Sequence, residues 1–198
     1  MDPQIEAMSA LMERYAAGDD SVFAHLYRLM APRLYRFCLR LTGLAGEADD
    51  CFQETFLRLH RARATYAAGA NALHWAFAIA RSVHLTKLRY WRRRPEALGA
   101  ATDVSERIEV HPGEEATPEA HILAEDLLGL VDGELRGMSE KNRIAYLLLK
   151  EEGLSAKEAA AVLGATPDAV KQRAHRAYEQ LKSALHAAGW KEHEVLTR

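Results

Sequence analysis

The chain has 198 residues, of which 48% are hydrophobic and 27% charged, and its formal net charge is −2. These values are typical of a soluble globular protein with one large domain or two small ones. No stretch approaches the length of a transmembrane helix, and the amino terminus lacks the basic start and apolar run of a secretion signal. We therefore expect a cytoplasmic protein without membrane insertion.

The near-neutral charge hides two segments of opposite sign. Residues 81–94 contain six cations and no acid, whereas residues 95–119 contain seven acids and one base. The sequence therefore has a basic patch followed by an acidic connector. Cys38 and Cys51 lack CxxC spacing, so we expect reduced, partly buried thiols. No catalytic motif or metal-spaced histidine pair occurs, and we predict no enzyme activity, no metal and no cofactor.

The N-terminal part is predicted to be helical. Apolar residues recur at helical spacing between residues 5 and 42, which indicates two or three packed helices. Gly43 and Gly46 interrupt this pattern, and a strong helix follows, to about residue 66. Its apolar side carries Phe52, Phe56 and Leu59, and its polar side carries Asp49, Asp50, Gln53, Glu54, Leu57, Arg58 and Arg61. From spacing alone, a surface helix with internal ion pairs explains these charges, although Leu57 is also compatible with a partner surface.

A short connector over residues 67–71 precedes another predicted helix, over about residues 72–94. Its core positions lie three to four residues apart: Leu73, Phe77, Ala80 and Val83. Towards its end Tyr90 and Trp91 alternate with cations. Cations bind phosphates and aromatic faces stack on unpaired bases, so this mixture indicates single-stranded or opening DNA. The alternative is a buried Trp75 beside a merely solvated run of arginines.

Pro95 ends this helix, and residues 95–121 lack periodicity, which predicts a flexible acidic linker. A helical pattern then returns up to a turn at Gly137. Ser139 begins a further helix, whose apolar residues are expected to pack beneath the segment that follows: Ile144, Leu147 and Leu148.

Residues 154–185 carry the ordered start and stop signals of two helices joined by a tight turn. Ser155 and Glu158 have capping-box spacing, and Gly164 allows the left-handed conformation that ends a helix. Thr166 can cap the second helix, with Pro167 at its first position. That helix has an apolar stripe of Val170, Ala174, Ala177 and Leu181 and a polar face of Asp168, Lys171, Gln172, His175, Arg176 and Lys182. This pattern predicts a DNA-binding helix-turn-helix, with an ordinary helical hairpin as the alternative.

The order of these parts resembles a known family. The matching stretches are AAGDDSVFAHLY, EADDCFQETFLRLHRA, WAFAIARSVHLTKLRYWRRR and MSEKNRIAYLLLKEEGLSAKEAAAVLGATPDAVKQRAHRAYEQLK. They cover about residues 10–94 and 122–188. In this order and spacing the chain is similar to the extracytoplasmic-function sigma factors, the small two-domain promoter-recognition subunits of bacterial RNA polymerase.

The resemblance implies an all-α fold of two small domains. Residues 1–94 would form a domain like sigma region 2, residues 95–121 the linker, residues 122–190 a helix-turn-helix domain like region 4, and residues 191–198 a tail. The implied function is to bind core RNA polymerase and direct promoter-specific initiation. An anti-sigma protein is implied as a further partner, in the setting of a stress response.

The resemblance also implies roles for individual residues. The predicted polymerase-binding residues, expected on the clamp helices of the β′ subunit, are Asp49, Asp50, Gln53, Glu54, Leu57, Arg58 and Arg61. The predicted minus-ten residues, which bind and melt that promoter element with a base extruded near the connector, are Asn71, His74, Trp75, Arg81, Ser82, Thr86, Arg89, Tyr90, Arg92 and Arg93. The predicted minus-thirty-five residues are Thr166, Asp168, Lys171, Gln172, Arg173, His175 and Arg176. The second domain would rest on the β flap, and the linker would run toward the RNA exit channel.

Three residues depart from the family pattern. Ser82 stands where Asn is usual and Thr86 where Asp is common, which affects the expected minus-ten preference. Ala174 is smaller than the usual aliphatic residue, which predicts a looser helix-turn-helix core.

Two other functions remain open from the residues. One is a self-sufficient helix-turn-helix regulator that binds an operator as a dimer. The other is a sigma-like interaction protein that sequesters a regulator.

Overall fold

The computed structural model describes residues 3–93 and 118–190, with side chains of the second range described from residue 127. Within these ranges every regular element is helical, and the chain divides into an N-terminal and a C-terminal unit. The predicted all-α architecture of two domains is therefore confirmed. The predicted tail, 191–198, and most of the predicted linker lie outside the described residues.

The N-terminal unit is a bundle of four helices, which are α1 (Pro3–Ala16), α2 (Phe23–Thr42), α3 (Ala45–Ala62) and α4 (Ala72–Arg93). Short 3-10 turns over Asp20–Val22 and Arg63–Thr65 follow α1 and α3. α2 packs against the other three helices, and α4 also contacts α1 and α3. The bundle is closed by large buried apolar side chains, among them Met8, Met12, Leu26, Met30, Leu34, Phe37, Leu41, Leu59, Leu73 and Phe77. Each such side chain contributes about 1.5–3 kcal/mol by leaving water.

Two expectations for this unit are corrected. Gly43 does end α2, in a left-handed conformation with φ of 78°. Gly46 is no break, because it lies in the first turn of α3, where backbone N–H groups have no intrahelical partner to lose. Tyr27, one of the apolar residues that recur at helical spacing between residues 5 and 42, is 39% exposed, because it forms the outer edge of an aromatic cluster with Phe52 and Phe56.

The two cysteines are free thiols that face each other across α2 and α3, and both are buried. They were expected to be only partly buried. A hydrogen bond to Cys51, together with burial, raises the pKa of the Cys38 thiol. The Cys51 thiol also donates to the Ala80 carbonyl across 3.7 Å, so the pair ties three helices together.

The C-terminal unit contains α5 (Pro118–Gly137), α6 (Glu140–Tyr146), α7 (Ala156–Leu163) and α8 (Pro167–Ala187). A π-helical turn over Leu147–Glu151 continues α6. α8 is the centre of this unit, since α5, α6 and α7 all pack against it. The predicted apolar positions are all buried, namely Ile144, Leu147, Leu148, Val170, Ala174, Ala177 and Leu181.

The boundary of the predicted linker needs correction. The linker was expected to extend to residue 121, but α5 already begins at Pro118. Proline suits the first position of a helix, because its missing N–H would have no intrahelical partner there. Pro118 therefore starts a helix and does not belong to the linker.

Arg143 is a buried charge that sequence patterns did not reveal. Its side chain lies beneath the helices with 8% of its surface exposed, and its Nη1 donates to the Leu135 carbonyl over 3.3 Å. Desolvation lowers the pKa of this guanidinium. The contact caps the C-terminal end of α5, where cations are favoured by the helix dipole.

Candidate nucleic-acid interface

The exposed face of α3 carries the residues predicted to bind polymerase. The exposed members are Asp49, Asp50, Gln53, Leu57 and Arg61. Glu54 and Arg58 are half-buried and pair with each other across 2.7 Å, one helical turn apart. Leu57 is 50% exposed at the centre of this face. The structure therefore brings the seven residues onto one surface, although a single exposed leucine is ordinary and does not by itself define a partner.

An ion pair joins this face to the next helix. Lys87 Nζ on α4 lies 3.1 Å from the Asp50 carboxylate on α3. Asp50 is therefore shared between the predicted polymerase face and the basic segment of α4. Lys87 belonged to the basic patch in the sequence but not to the predicted site. Periodicity along one helix does not show which residue of a neighbouring helix lies opposite.

Helix α4 presents a straight line of exposed side chains. Ser82, Thr86, Arg89 and Arg93 follow one another at intervals of four, three and four residues, and all four are exposed. At a rise of 1.5 Å per residue this line is about 16 Å long. Its flanking predicted residues are Arg81, which is half-buried, and Tyr90 and Arg92, which are exposed. The predicted core residues of α4 occupy the opposite side.

The hydroxyl group of Thr86 makes a hydrogen bond within its own helix. Its Oγ1 donates to the Ser82 carbonyl over 2.8 Å. The Thr86 donor is thus satisfied by the backbone, so that only its acceptor lone pairs face outward. This arrangement differs from the carboxylate common in the family at this position.

The start of α4 is organised by Asn71. Its Oδ1 accepts from the backbone N–H groups of Leu73 at 3.0 Å and His74 at 3.1 Å, which caps the helix. Its Nδ2 lies 3.2 Å from His74 Nε2, so the two predicted minus-ten side chains are in contact. Trp75 is half-buried, with its ring 5.3 Å from that of Tyr66. A fully buried Trp75 was one alternative, and the structure places it at the surface of the bundle instead.

Local caps define the ends of α7 and the start of α8. The Ser155 hydroxyl accepts from the Glu158 N–H, and the Glu158 carboxylate accepts from the Ser155 N–H, as in a capping box. Gly164 ends α7 with φ of 58°, and Thr166 Oγ1 accepts from the Ala169 N–H at 3.2 Å. The predicted caps and the predicted turn are therefore confirmed.

The free face of α8 is polar at the amino end of the helix. Its exposed predicted residues are Thr166, Asp168, Lys171, Gln172, His175 and Arg176, and Arg173 is half-buried at the edge. Lys171 lies 3.8 Å from Asp168, and His175 lies 3.9 Å from Glu179. Exposed pairs at these distances contribute little, so they leave the cations available for phosphates.

A groove separates the two predicted faces of the N-terminal unit. It runs between α3 and α4, has a volume of about 380 Å³, and is lined by Arg58, Arg61, Ala62, Ile79 and Ser82. It therefore contains residues predicted for polymerase binding and one predicted for minus-ten binding. In the described part of the chain no cluster of potential metal ligands occurs, and no helix there is long and apolar enough to cross a membrane.

Comparisons with known proteins agree with this layout. Residues 26–94 match the family model described as Sigma-70 region 2, and residues 128–181 match Sigma-70, region 4. The chain is 30% identical over 175 residues to the RNA polymerase sigma factor CarQ of Myxococcus xanthus, which covers 88% of this chain and 95% of CarQ. It is 30% identical over 158 residues to the ECF RNA polymerase sigma factor EcfG of Rhodopseudomonas palustris, covering 80% of this chain and 82% of EcfG.

The chain belongs to the ECF sigma factors. This family consists of transcription initiation factors rather than enzymes, so the prediction of a non-enzymatic protein is confirmed. Membership also means that the stand-alone regulator and the sequestering protein are not favoured. The two helices predicted to bind DNA, α4 and α8, lie within or across the matched regions.

Solved structures show the same fold. The sigma factor RpoE of Bartonella quintana, solved in complex with the anti-sigma factor NepR, superposes with a TM-score of 0.67 at 24% identity, covering 83% of this chain and 96% of RpoE. CnrH, solved with the cytosolic domain of CnrY, superposes with a TM-score of 0.66 at 23% identity, covering 91% of this chain and 98% of CnrH. At these identities the likeness concerns the fold alone.

Proposed function

We propose that this ECF sigma factor captures the minus-ten element with the connector and α4, recognises the minus-thirty-five element with α8, and docks on core polymerase through the exposed face of α3. The observation that carries the proposal is the pair of exposed faces, one aromatic and cationic on α4 and one polar on α8, each in the matched region of the chain. A protein with these partners acts in the cytoplasm.

The chemistry of α4 suits unpaired DNA. Arg89, Arg92 and Arg93 are exposed near the carboxyl end of the helix, and Tyr90 is 48% exposed among them. Cations neutralise phosphates without regard to sequence, while an exposed aromatic ring stacks on any unpaired base. At the amino end, Asn71 and His74 offer polar groups beside the connector, where an extruded base can be hydrogen-bonded.

The chemistry of α8 suits duplex DNA. In a helix-turn-helix the amino end of the second helix enters the major groove, and here that end carries Lys171, Gln172 and Arg176 exposed. Gln pairs with adenine, and Arg or Lys pairs with guanine or phosphate. Asp168 at the first turn can accept from the amino group of cytosine. The seven predicted minus-thirty-five residues are therefore assigned to this contact.

The polymerase contacts are assigned to two surfaces. The α3 face, with Leu57 at its centre, is the proposed partner of the β′ clamp helices. The C-terminal unit is the proposed partner of the β flap, and the acidic linker is proposed to run toward the RNA exit channel. The binding energy of an interface is concentrated in a few residues near its centre, and Leu57 is the proposed anchor among the charged groups of this face.

An anti-sigma protein is the proposed regulator. Support comes from the two structural relatives, each solved with another protein, which in the case of RpoE is the anti-sigma factor NepR. The proposed partner would compete with core polymerase for this sigma factor.

The function is tested by run-off transcription with core polymerase and the full chain on a library of promoter fragments. We expect transcripts that require the protein and share a minus-ten and a minus-thirty-five element. Leu57→Ala should weaken core binding about ten-fold, since it removes an anchor at the centre of the α3 face. Glu6→Ala, an exposed residue of α1, is the matched control and should change nothing.

Other outcomes would replace the proposal. Core binding without any initiation would indicate a degenerate relative that sequesters polymerase. Tight operator binding without polymerase would indicate a stand-alone regulator. Neither binding nor transcripts would overturn the assignment of the α3 face and both helices.

A further inference from the structure

The connector before α4 is held in place by the first helix. Its residues, 67–71, are Ala, Ala, Gly, Ala and Asn, and only Asn71 has a side chain with polar atoms. A chain of this composition has little to fix its own conformation, and Gly69 adopts φ of 77°. An ordered connector therefore needs anchors from elsewhere in the bundle.

Helix α1 supplies two anchors, one at the middle of the connector and one where the connector joins α4. Glu13 Oε1 accepts from the Gly69 N–H at 2.7 Å. Ser9 Oγ accepts from the Ala72 N–H at 3.2 Å while its own hydroxyl donates to the Ile5 carbonyl at 2.9 Å. Ser9 and Glu13 are four residues apart and thus lie on the same face of α1. Ser9 therefore satisfies the Ala72 N–H, which has no intrahelical partner in the first turn of α4, and Glu13 satisfies the Gly69 N–H of the connector.

A third anchor comes from Tyr66, the residue just before the connector. Its hydroxyl donates to the Ala70 carbonyl, and its ring packs against Trp75. Burial raises the pKa of Tyr66 above its ordinary value. Both an N–H group and a carbonyl group of the connector are therefore hydrogen-bonded to side chains outside it.

The contacts of Glu13 and Ser9 with the connector are separate from the core of the bundle. The core face of α1 carries Met8, Met12 and Tyr15, all buried. Glu13 is exposed and Ser9 is half-buried, so neither supports the core directly. The Glu13 carboxylate lies 2.7 Å from the Gly69 N–H and outside the apolar core. It therefore stabilises the conformation of the connector.

We propose that α1 positions the connector for recognition of the minus-ten element. Glu13 and Ser9 are positioning residues that hold residues 67–72 in the conformation that accepts an extruded promoter base. This inference rests on the proposed minus-ten role of the connector. The match to the region-2 family model starts at residue 26, so that model does not include α1. The carboxylate contributes as a hydrogen-bond acceptor, not as a charge.

The test compares holoenzymes assembled from core polymerase and full-length variants. Glu13→Ala removes the acceptor, Glu13→Gln keeps the acceptor oxygen but removes the charge, and Glu6→Ala is an exposed control on the same helix. Open-complex formation is followed by 2-aminopurine fluorescence in the minus-ten element of a duplex promoter. Discrimination is measured with substitutions at the base that is extruded, and core affinity is measured separately.

We expect Glu13→Ala to lower open-complex formation about ten-fold and to weaken discrimination at the extruded base, with core affinity unchanged. Glu13→Gln should restore most of both, which a loss of charge or a general loss of stability would not do. Ser9→Ala should show the same defects as Glu13→Ala in weaker form.

The inference is overturned if Glu13→Ala behaves like Glu6→Ala, or if Glu13→Gln is as defective as Glu13→Ala. Either result with an active wild-type holoenzyme leaves the proposed function intact. A wild-type holoenzyme that forms no open complex on any promoter would instead overturn the proposed function. A variant that loses core affinity along with open complexes would show a role in folding and would also overturn the positioning role.

Discussion

The two helices proposed to bind DNA are nearly equal in length, 22 residues in α4 and 21 in α8, but they carry their proposed contact residues towards opposite ends. α4 concentrates its cations at the carboxyl end, where the helix dipole stabilises them. α8 places its polar groups at the amino end, where the dipole and the free N–H groups favour phosphate. Only α4 adds an exposed aromatic ring, Tyr90; the one tyrosine of α8, Tyr178, is half-buried beneath Lys150.

The difference supports the proposal that the two helices bind different forms of DNA. Duplex bases present their edges in a groove, which long polar side chains near one helix end can reach. Unpaired bases present their faces, on which an aromatic ring can stack while nearby cations bind the phosphates. The remaining question is whether the two functions can be damaged independently, and the following experiments address it in order of expected effect.

The largest effect is expected from the core of the C-terminal unit. Leu148→Ala removes a fully buried side chain and should lower the free energy of unfolding of that unit by about 2–5 kcal/mol. Dependence on the minus-thirty-five element should fall with it, while binding of single-stranded minus-ten DNA remains. The measurement is thermal unfolding together with transcription on promoters with and without the upstream element. The half-buried neighbour Leu149 provides the control, and an equal loss in Leu149→Ala would contradict the assignment.

The next largest effect is expected from charge reversal, which should separate the functions of the two helices. Arg92→Glu with Arg93→Glu should weaken binding to a single-stranded minus-ten oligonucleotide about 100-fold and flatten its salt dependence, because two phosphate contacts become repulsive. Lys171→Glu with Arg176→Glu should leave that binding unchanged and weaken duplex recognition. Titrations at several salt concentrations measure both effects. If both pairs weaken both ligands equally, the division of labour between α4 and α8 is wrong.

A smaller effect is expected at a single base pair. Gln172→Ala should cost about 1–3 kcal/mol of discrimination at one position of the minus-thirty-five element, since it removes a side chain suited to adenine. Minus-ten preference should stay unchanged. Transcription from a library randomised at each position measures the loss. Gln180→Ala, two turns further along α8, is the control, and loss of discrimination in that variant instead would move the contact along the helix.

The smallest effect concerns pH and only the N-terminal unit. Hydrogen bonds from the Ser21 hydroxyl and from Arg14 lower the pKa of Asp19. A carboxyl whose pKa is lower in the folded state stabilises that state above its unfolded pKa, and this stabilisation is lost as pH falls through the folded value. Asp19→Asn should therefore be less stable than wild type at neutral pH, with the difference disappearing in acid. Unfolding curves between neutral and acid pH test this against Glu6→Gln, and a constant difference across that range would refute the assignment.

The helix-turn-helix was predictable almost residue by residue. Ser155 and Glu158 start α7, Gly164 ends it, and Thr166 and Pro167 start α8. Each of these signals acts over three or four residues, so the local sequence carries it. The exposed line of α4 was predictable for the same reason, since helical periodicity sorts residues into faces. The polymerase and promoter roles came from the order of motifs that resembles a family, because spacing alone favoured an ordinary surface helix for α3.

Contacts between distant parts of the chain were decided only by the tertiary structure. The bond from Gly69 to Glu13 joins residues 56 apart, that from Ala72 to Ser9 joins residues 63 apart, and Lys87 meets Asp50 across 37 residues. Local sequence determined which residues are helical and which face each helix exposes, because caps and periodicity act over one or two turns. Packing decided that α1 holds the connector and that Tyr27 lies at the surface, because these depend on how helices cross.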